Sequence, residues 1–250
     1  MNTVDPQARW VIAAIDHPLY SWPCKGLEDP IELLESVADA GVDAVIASYG
    51  TIRDHRRHFG ASRPILKLDL TTVSLHEAYV ESEYVLAWSV EDAQRLGVDA
   101  VLTYVQLGAP SELQALRHAA TVAAAADRAG LTYVCEIMPV ESSRYPDPAA
   151  PEAIAAAARV GAELGAHIVK TTLPDPPASL SQAIGSVPVI VAGGSPVDEV
   201  SELLDNVRAT IKAGGRGVAF GRNLWGHSDP AALVRELRSI VHDDVLVPGR

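Results

Sequence analysis

The chain has 250 residues, 48% of them hydrophobic and 5% aromatic, and a formal charge of −12 at pH 7. That length holds one α/β barrel or two small domains, and the alanine-rich composition suits helices covering a sheet rather than disorder or an all-β sandwich. The acidic balance excludes a general nucleic-acid surface, which needs clustered Lys and Arg, but leaves room for an anionic small molecule in a locally positive pocket.

Short β-branched runs alternate with helical patterns from residue 10 to the end, with no linker between them. The first predicted strand covers 10–16 and ends in Asp16-His17; a helix over 30–40 follows, opened by the Asp29-Pro30 cap signal. A strand over 44–48 leads to one over 64–70 that carries Lys67-Leu68-Asp69. Residues 54–58 and 77–84 do not resolve cleanly into one helix. Strand 100–108 passes Gln106, and a helix over 111–129 stops at Gly130. Strand 132–139 contains Glu136, helix 151–164 stops at Gly165, and strand 167–173 contains Lys170 and Thr172. Strand 188–194, a helix over 197–213 stopped by Gly214, strand 217–222 with Arg222, and a helix over 230–241 after Asp229-Pro230 complete the array. Eight β-α units predict a single (β/α)8 TIM barrel, one domain spanning 1–250.

Chemistry in such a barrel gathers at the C-terminal strand ends. Period-two alternation puts Ile12, Ala14 and Asp16 on one face, Val134, Glu136 and Met138 on another, and Ile168, Lys170 and Thr172 on a third. If all three faces point inward, Asp16, Glu136 and Lys170 meet at the mouth. Lys170 is one of four lysines and sits in an apolar run, where desolvation disfavours the ammonium and favours a nucleophilic amine that attacks carbonyls. Plainer roles remain open on the residues alone: Lys170 reaching to water, Asp16 capping a turn, Glu136 paired with Lys67, His17 an ordinary loop residue. Glycines just past the last two strands, Gly193-Gly194 and Gly221, let backbone N–H groups approach an anion, and Arg222 adds charge.

Cys24 and Cys135 make no disulfide framework, the N-terminal stretch lacks a signal-peptide pattern, and no apolar run reaches the roughly 18 residues of a membrane span. The expectation is a cytoplasmic protein, a homo-oligomer, with no nucleic-acid or membrane partner.

The segments Ile15-Asp16-His17-Pro18, Leu66-Lys67-Leu68-Asp69, Val90 to Gly97, Glu163 to Thr171, Val189 to Gly194 and Gly217 to Trp225 resemble the class I aldolases of the bacterial and archaeal fructose-bisphosphate aldolase type, Schiff-base barrels related to deoxyribose-phosphate aldolase. The resemblance covers nearly the whole chain. It implies Lys170 as the Schiff-base lysine, Asp16 as the carboxylate beside it, and Gly193, Gly194, Gly221 and Arg222 as binders of a substrate phosphate. It implies no metal and no cofactor. His17, Lys67, Asp69 and Thr172 are further pocket candidates.

The fifth predicted strand departs from the family's Trp-x-Tyr-Pro, reading Glu136-Ile137-Met138-Pro139. Met138 cannot move a proton, whereas Glu136 can, and tagatose-bisphosphate and sulfosugar-phosphate aldolases likewise place a glutamate on this strand. The expected substrate is therefore a ketose phosphate of the fructose, tagatose or sulfofructose type, cleaved to a product such as dihydroxyacetone phosphate. Related branches that transfer acyl groups to coenzyme A or make amino-sugar precursors use the same lysine. A metal-free isomerase or a non-catalytic effector-binding barrel would keep the phosphate site without needing Lys170.

Overall fold

The computed structural model describes residues 8–19, 23–71, 84–175, 187–194, 196–197 and 199–243. Eight strands close into a parallel barrel: β1 (Trp10–Ala14), β2 (Ala44–Ala47), β3 (Arg63–Lys67), β6 (Ala100–Leu107), β7 (Thr132–Pro139), β8 (Ile168–Thr171), β9 (Val189–Ala192) and β10 (Gly217–Phe220). Their order around the ring is β1-β10-β9-β8-β7-β6-β3-β2, so each strand lies beside its neighbours in the chain and β10 closes on β1. The expected eight-stranded TIM barrel is therefore correct.

Alternation sorts each strand into two faces. Ile12, Ala14, Ile46, Ile65, Leu102, Val134, Ile168 and Ile190 fill the barrel interior as one buried cluster. The intervening residues, such as Val11, Ala13, Val45, Val101, Cys135 and Val169, join the larger layer between strands and helices. Each fully buried Val, Leu or Ile contributes about 1.5–3 kcal/mol of hydrophobic stabilisation.

The outer helices are α1 (Pro30–Asp39), α2 (Tyr49–His55), α3 (Val90–Leu96), α4 (Glu112–Ala129), α5 (Pro151–Glu163), α6 (Val200–Lys212), α7 (Arg222–Trp225) and α8 (Pro230–Arg238). Their sequence signals work as read. Asp29 accepts hydrogen bonds from the Ile31 and Glu32 amides, and Asp229 accepts one from the Ala232 amide, each ahead of a first-turn proline. Gly130 ends α4 in the left-handed conformation. On α4 the buried face is Ala115, Ala119, Ala123 and Ala126 with Val122, small side chains that let the helix lie close on β6 and β7.

The structure corrects the region between residues 49 and 96. The predicted strand 64–70 is two strands, because the chain leaves the barrel after Lys67 and β4 (Asp69–Thr71) pairs antiparallel with β5 (Tyr84–Leu86) in a separate hairpin. The backbone of Leu68 sits at the branch: its amide still bonds Leu102 of the barrel, while its carbonyl accepts from Ala87 and Trp88. Helix α2, started by Ser48, and α3, started by a reciprocal Ser89–Asp92 capping box, supply the helices that the alternation left unresolved. Most of the unresolved 77–84 stretch lies outside the described residues.

Candidate active site

A cavity of about 860 Å³, counting its open mouth, occupies the C-terminal end of the barrel. Ten of the eleven residues singled out in the sequence line it: Asp16, His17, Lys67, Glu136, Lys170, Thr172, Gly193, Gly194, Gly221 and Arg222. They come from six strand ends, brought to one level by the barrel register.

The register explains the central pair. Glu136 on β7 lies directly beside Lys170 on β8, both pointing inward in the layer above Val134 and Ile168. Lys170 Nζ stands 2.7 Å from Glu136 Oε1, with side chains 7% and 14% exposed. An amine and a carboxylate at that distance, open to the cavity, can exchange a proton directly.

Lys67 makes a different pair. Its Nζ donates to Asp69 Oδ1 at 2.7 Å, and both side chains are almost fully buried. Asp69 also accepts from the Tyr84 hydroxyl at 2.5 Å and from the Tyr104 amide. It is the one predicted pocket residue that does not line the cavity, because β4 carries it out of the barrel into the hairpin behind Lys67. Burial pushes the Lys67 ammonium down, but the carboxylates of Asp69, Asp16 and Glu136 more than offset it, leaving its pKa above the ordinary lysine value. The same site pushes the Tyr84 phenol up, through burial and the Asp69 carboxylate.

His17 stands 3.7 Å from Asp16 across Nδ1 and Oδ1, and its ring meets Trp225 edge-on at 5.4 Å. Burial lowers its pKa below the usual histidine value, with Lys170 and Arg222 reinforcing the shift and Asp16 and Glu136 opposing it, so the imidazole is neutral near pH 7. Gly221 makes room for it: a Cβ there would stand 2.5 Å from His17 Cε1.

The glycine sites beyond β9 and β10 form one wall of the cavity. Asn223 holds them together, its amide donating to the Gly193 carbonyl at 2.8 Å and its side-chain oxygen accepting from the Val197 amide at 2.9 Å. Arg222 donates to the Gly194 carbonyl at 2.9 Å and is half-buried at the rim. Gly193, Gly194, Gly221 and Arg222 stand out in the sequence, whereas Asn223 carries no signal of its clasping role there. Tyr104 lines the cavity opposite Glu136 in the β6–β7 register, on the same inward parity as Leu102 and Gln106. Among the described residues there is no group of three or more His, Cys, Asp or Glu able to hold a metal ion. Nor is any helix there long and apolar enough to cross a membrane. Burial pushes the Cys135 thiol up to about 12, which removes it as a nucleophile.

Residues 10–227 match the family model of the DeoC/LacD family aldolases. The chain belongs to this aldolase family. Among curated relatives, this aldolase is 30% identical to the 2-amino-4,5-dihydroxy-6-oxo-7-(phosphonooxy)heptanoate synthase of Streptomyces griseus, over 96% of this chain and 86% of the relative. It is also 30% identical to the class 1 fructose-bisphosphate aldolase of Thermoproteus tenax, over 93% and 89% respectively. Among solved structures, the aldolase superposes with a TM-score of 0.85 and 28% identity on an archaeal fructose-1,6-bisphosphate aldolase whose catalytic Lys is covalently bound to the carbinolamine intermediate, covering 95% of each chain.

Proposed function

We propose that this class I aldolase forms a Schiff base at Lys170 with a phosphorylated ketose and reversibly breaks the carbon–carbon bond between its third and fourth carbons. The observation that carries the reading is the Lys170–Glu136 pair at 2.7 Å, inward-facing and open to the cavity, in front of the glycine wall of β9 and β10. The Lys170 amine adds to the C2 ketone, and the carbinolamine loses water to give an iminium. The C3–C4 electron pair then flows into the iminium as Glu136 takes the C4 hydroxyl proton, releasing an aldehyde and leaving an enamine. Protonation of the enamine at C3 and hydrolysis return a small ketone such as dihydroxyacetone phosphate. The iminium is the electron sink, so the chemistry requires no metal.

Asp16 assists carbinolamine formation and orients the lysine, with neutral His17 beside it. Gly193, Gly194, Gly221 and Arg222 bind the substrate phosphate, and Thr172 borders the space between phosphate and lysine. The working unit is the whole chain as one domain, a cytoplasmic homo-oligomer without nucleic-acid or membrane partners.

The experiment is covalent capture. Incubation with dihydroxyacetone phosphate and sodium borohydride should add one reduced adduct, located at Lys170 by peptide mass spectrometry; an adduct at Lys67 overturns the assignment. A panel of fructose, tagatose and sulfofructose phosphates then identifies the ketose by release of dihydroxyacetone phosphate or its analogue. The likeness to the Streptomyces griseus synthase supports a second reading, in which the same lysine serves amino-sugar-type synthesis. Product analysis with amino-aldehyde acceptors separates the two.

A further inference from the structure

We infer that Lys67 is a substrate-binding residue, the cation that holds the aldehyde half of the ketose by an oxygen beyond the carbon–carbon bond that breaks. The inference rests on the aldolase reading above and adds to it the side of the cavity on which the aldehyde is held.

Strand order carries the geometry. Going round the ring from the glycine wall on β10 and β9, the next strands are β8, β7, β6 and β3, and they present Lys170, Glu136, Tyr104 and Lys67 in turn. A ketose with its phosphate at β9 and β10 and its second carbon on Lys170 has its C4 hydroxyl at Glu136. The rest of the chain then continues toward β6 and β3. Lys67 stands at the far end of that path, across the ring from the phosphate wall.

Its local chemistry fits the task. An ammonium has three N–H donors, and among the described residues the hydrogen bond of Lys67 Nζ goes to Asp69. The Tyr104 ring lies 5.5 Å from the same nitrogen. Donor capacity thus remains on a group that lines the cavity, is 2% exposed and is fixed by Asp69. The Asp69 anchor is itself fixed by Tyr84 from the hairpin and by the Tyr104 amide. A pre-oriented donor of this kind binds such an oxygen with little loss of side-chain freedom when the substrate arrives.

The competing role is neutralisation of Asp69 alone. Lys67→Met leaves Asp69 buried and unpaired, so the deciding variant is Lys67→Met combined with Asp69→Asn, which removes both charges together. Two half-reactions are read on each protein. Deuterium exchange into dihydroxyacetone phosphate reports iminium and enamine formation at Lys170 and needs no aldehyde. Cleavage of the ketose phosphate that turns over fastest in the panel requires the aldehyde side. The double variant should keep exchange and borohydride trapping within about threefold of the parent while cleavage falls about 10²-fold or more. If the double variant melts below assay temperature, Lys67→Arg serves instead; it keeps the charge against Asp69, moves the donors, and should show the same split. Cleavage within about threefold of the parent overturns the inference, as does a parallel loss of exchange and cleavage. Failure of the parent itself to exchange or be trapped would instead sink the aldolase reading.

Discussion

At the scale of single residues, the question is what Glu136 does for Lys170 once the two are paired. Glutamine at position 136 is nearly isosteric and still bonds an amine, but it accepts no proton at neutral pH. Glu136→Gln should therefore keep the borohydride adduct at Lys170 while steady-state cleavage falls about 10²-fold or more. An unchanged rate returns attention to Asp16 or Tyr104. The inward placement of Glu136 and Lys170 was legible in the sequence, because period-two alternation from Val134 and Ile168 fixes which side chains enter the barrel. Their partnership was not, since the adjacent pairing Glu136–Lys170 comes from the parallel register of β7 on β8. Lys67 had been the alternative partner for Glu136; it pairs with Asp69 instead, two residues along its own chain.

At the scale of elements, the parts that could be read were those governed by local chemistry: proline and aspartate caps, glycine stops, and strands of one parity. The hairpin of β4 and β5 could not, because Leu66 to Leu70 continues an unbroken apolar alternation. Only pairing with Tyr84–Leu86, some fifteen residues on, pulls Asp69 out of the barrel. The loop beyond β9 and the start of α7 make a second case, joined by Asn223 across about 30 residues of sequence. Asn223→Ala removes both clasp bonds and should loosen the glycine wall, raising KM for a phosphorylated ketose about tenfold with a smaller change in kcat. Arg222→Ala should act in the same direction through lost charge. Trapping by unphosphorylated hydroxyacetone is the control, expected to be nearly intact in both variants. Equal damage to hydroxyacetone trapping would mean that these residues support the fold rather than the anion.

At the scale of the whole molecule, the barrel places the cavity at one rim and a closing network of bonds at the other. Closure of β10 on β1 brings Gly217 against Trp10, where a Cβ would stand 1.9 Å from the Trp10 carbonyl oxygen. At the same N-terminal rim Asp43 gathers three elements. Its carboxylate accepts from the Val11 amide at 2.7 Å, pairs with Arg238 at 2.9 Å and meets His242 Nε2 at 2.9 Å. Arg238 also donates to the Gly41 carbonyl. These bonds tie the end of α8 and the turn after it to β1 and to the loop before β2, at the rim opposite the cavity. Hydrogen bonds to a charged group contribute about 1.5–3 kcal/mol each, and Asp43 is only partly exposed. Asp43→Ala should therefore destabilise the fold by roughly 2–4 kcal/mol, lowering the melting temperature by about 4–16 °C for a chain of this size. Well below that temperature, the yield of reduced adduct at Lys170 should match the parent, because the substitution leaves every cavity residue in register. Lost trapping at an unchanged melting temperature would contradict this division, since it would mean that the lower rim sets the geometry of the site rather than the stability of the barrel.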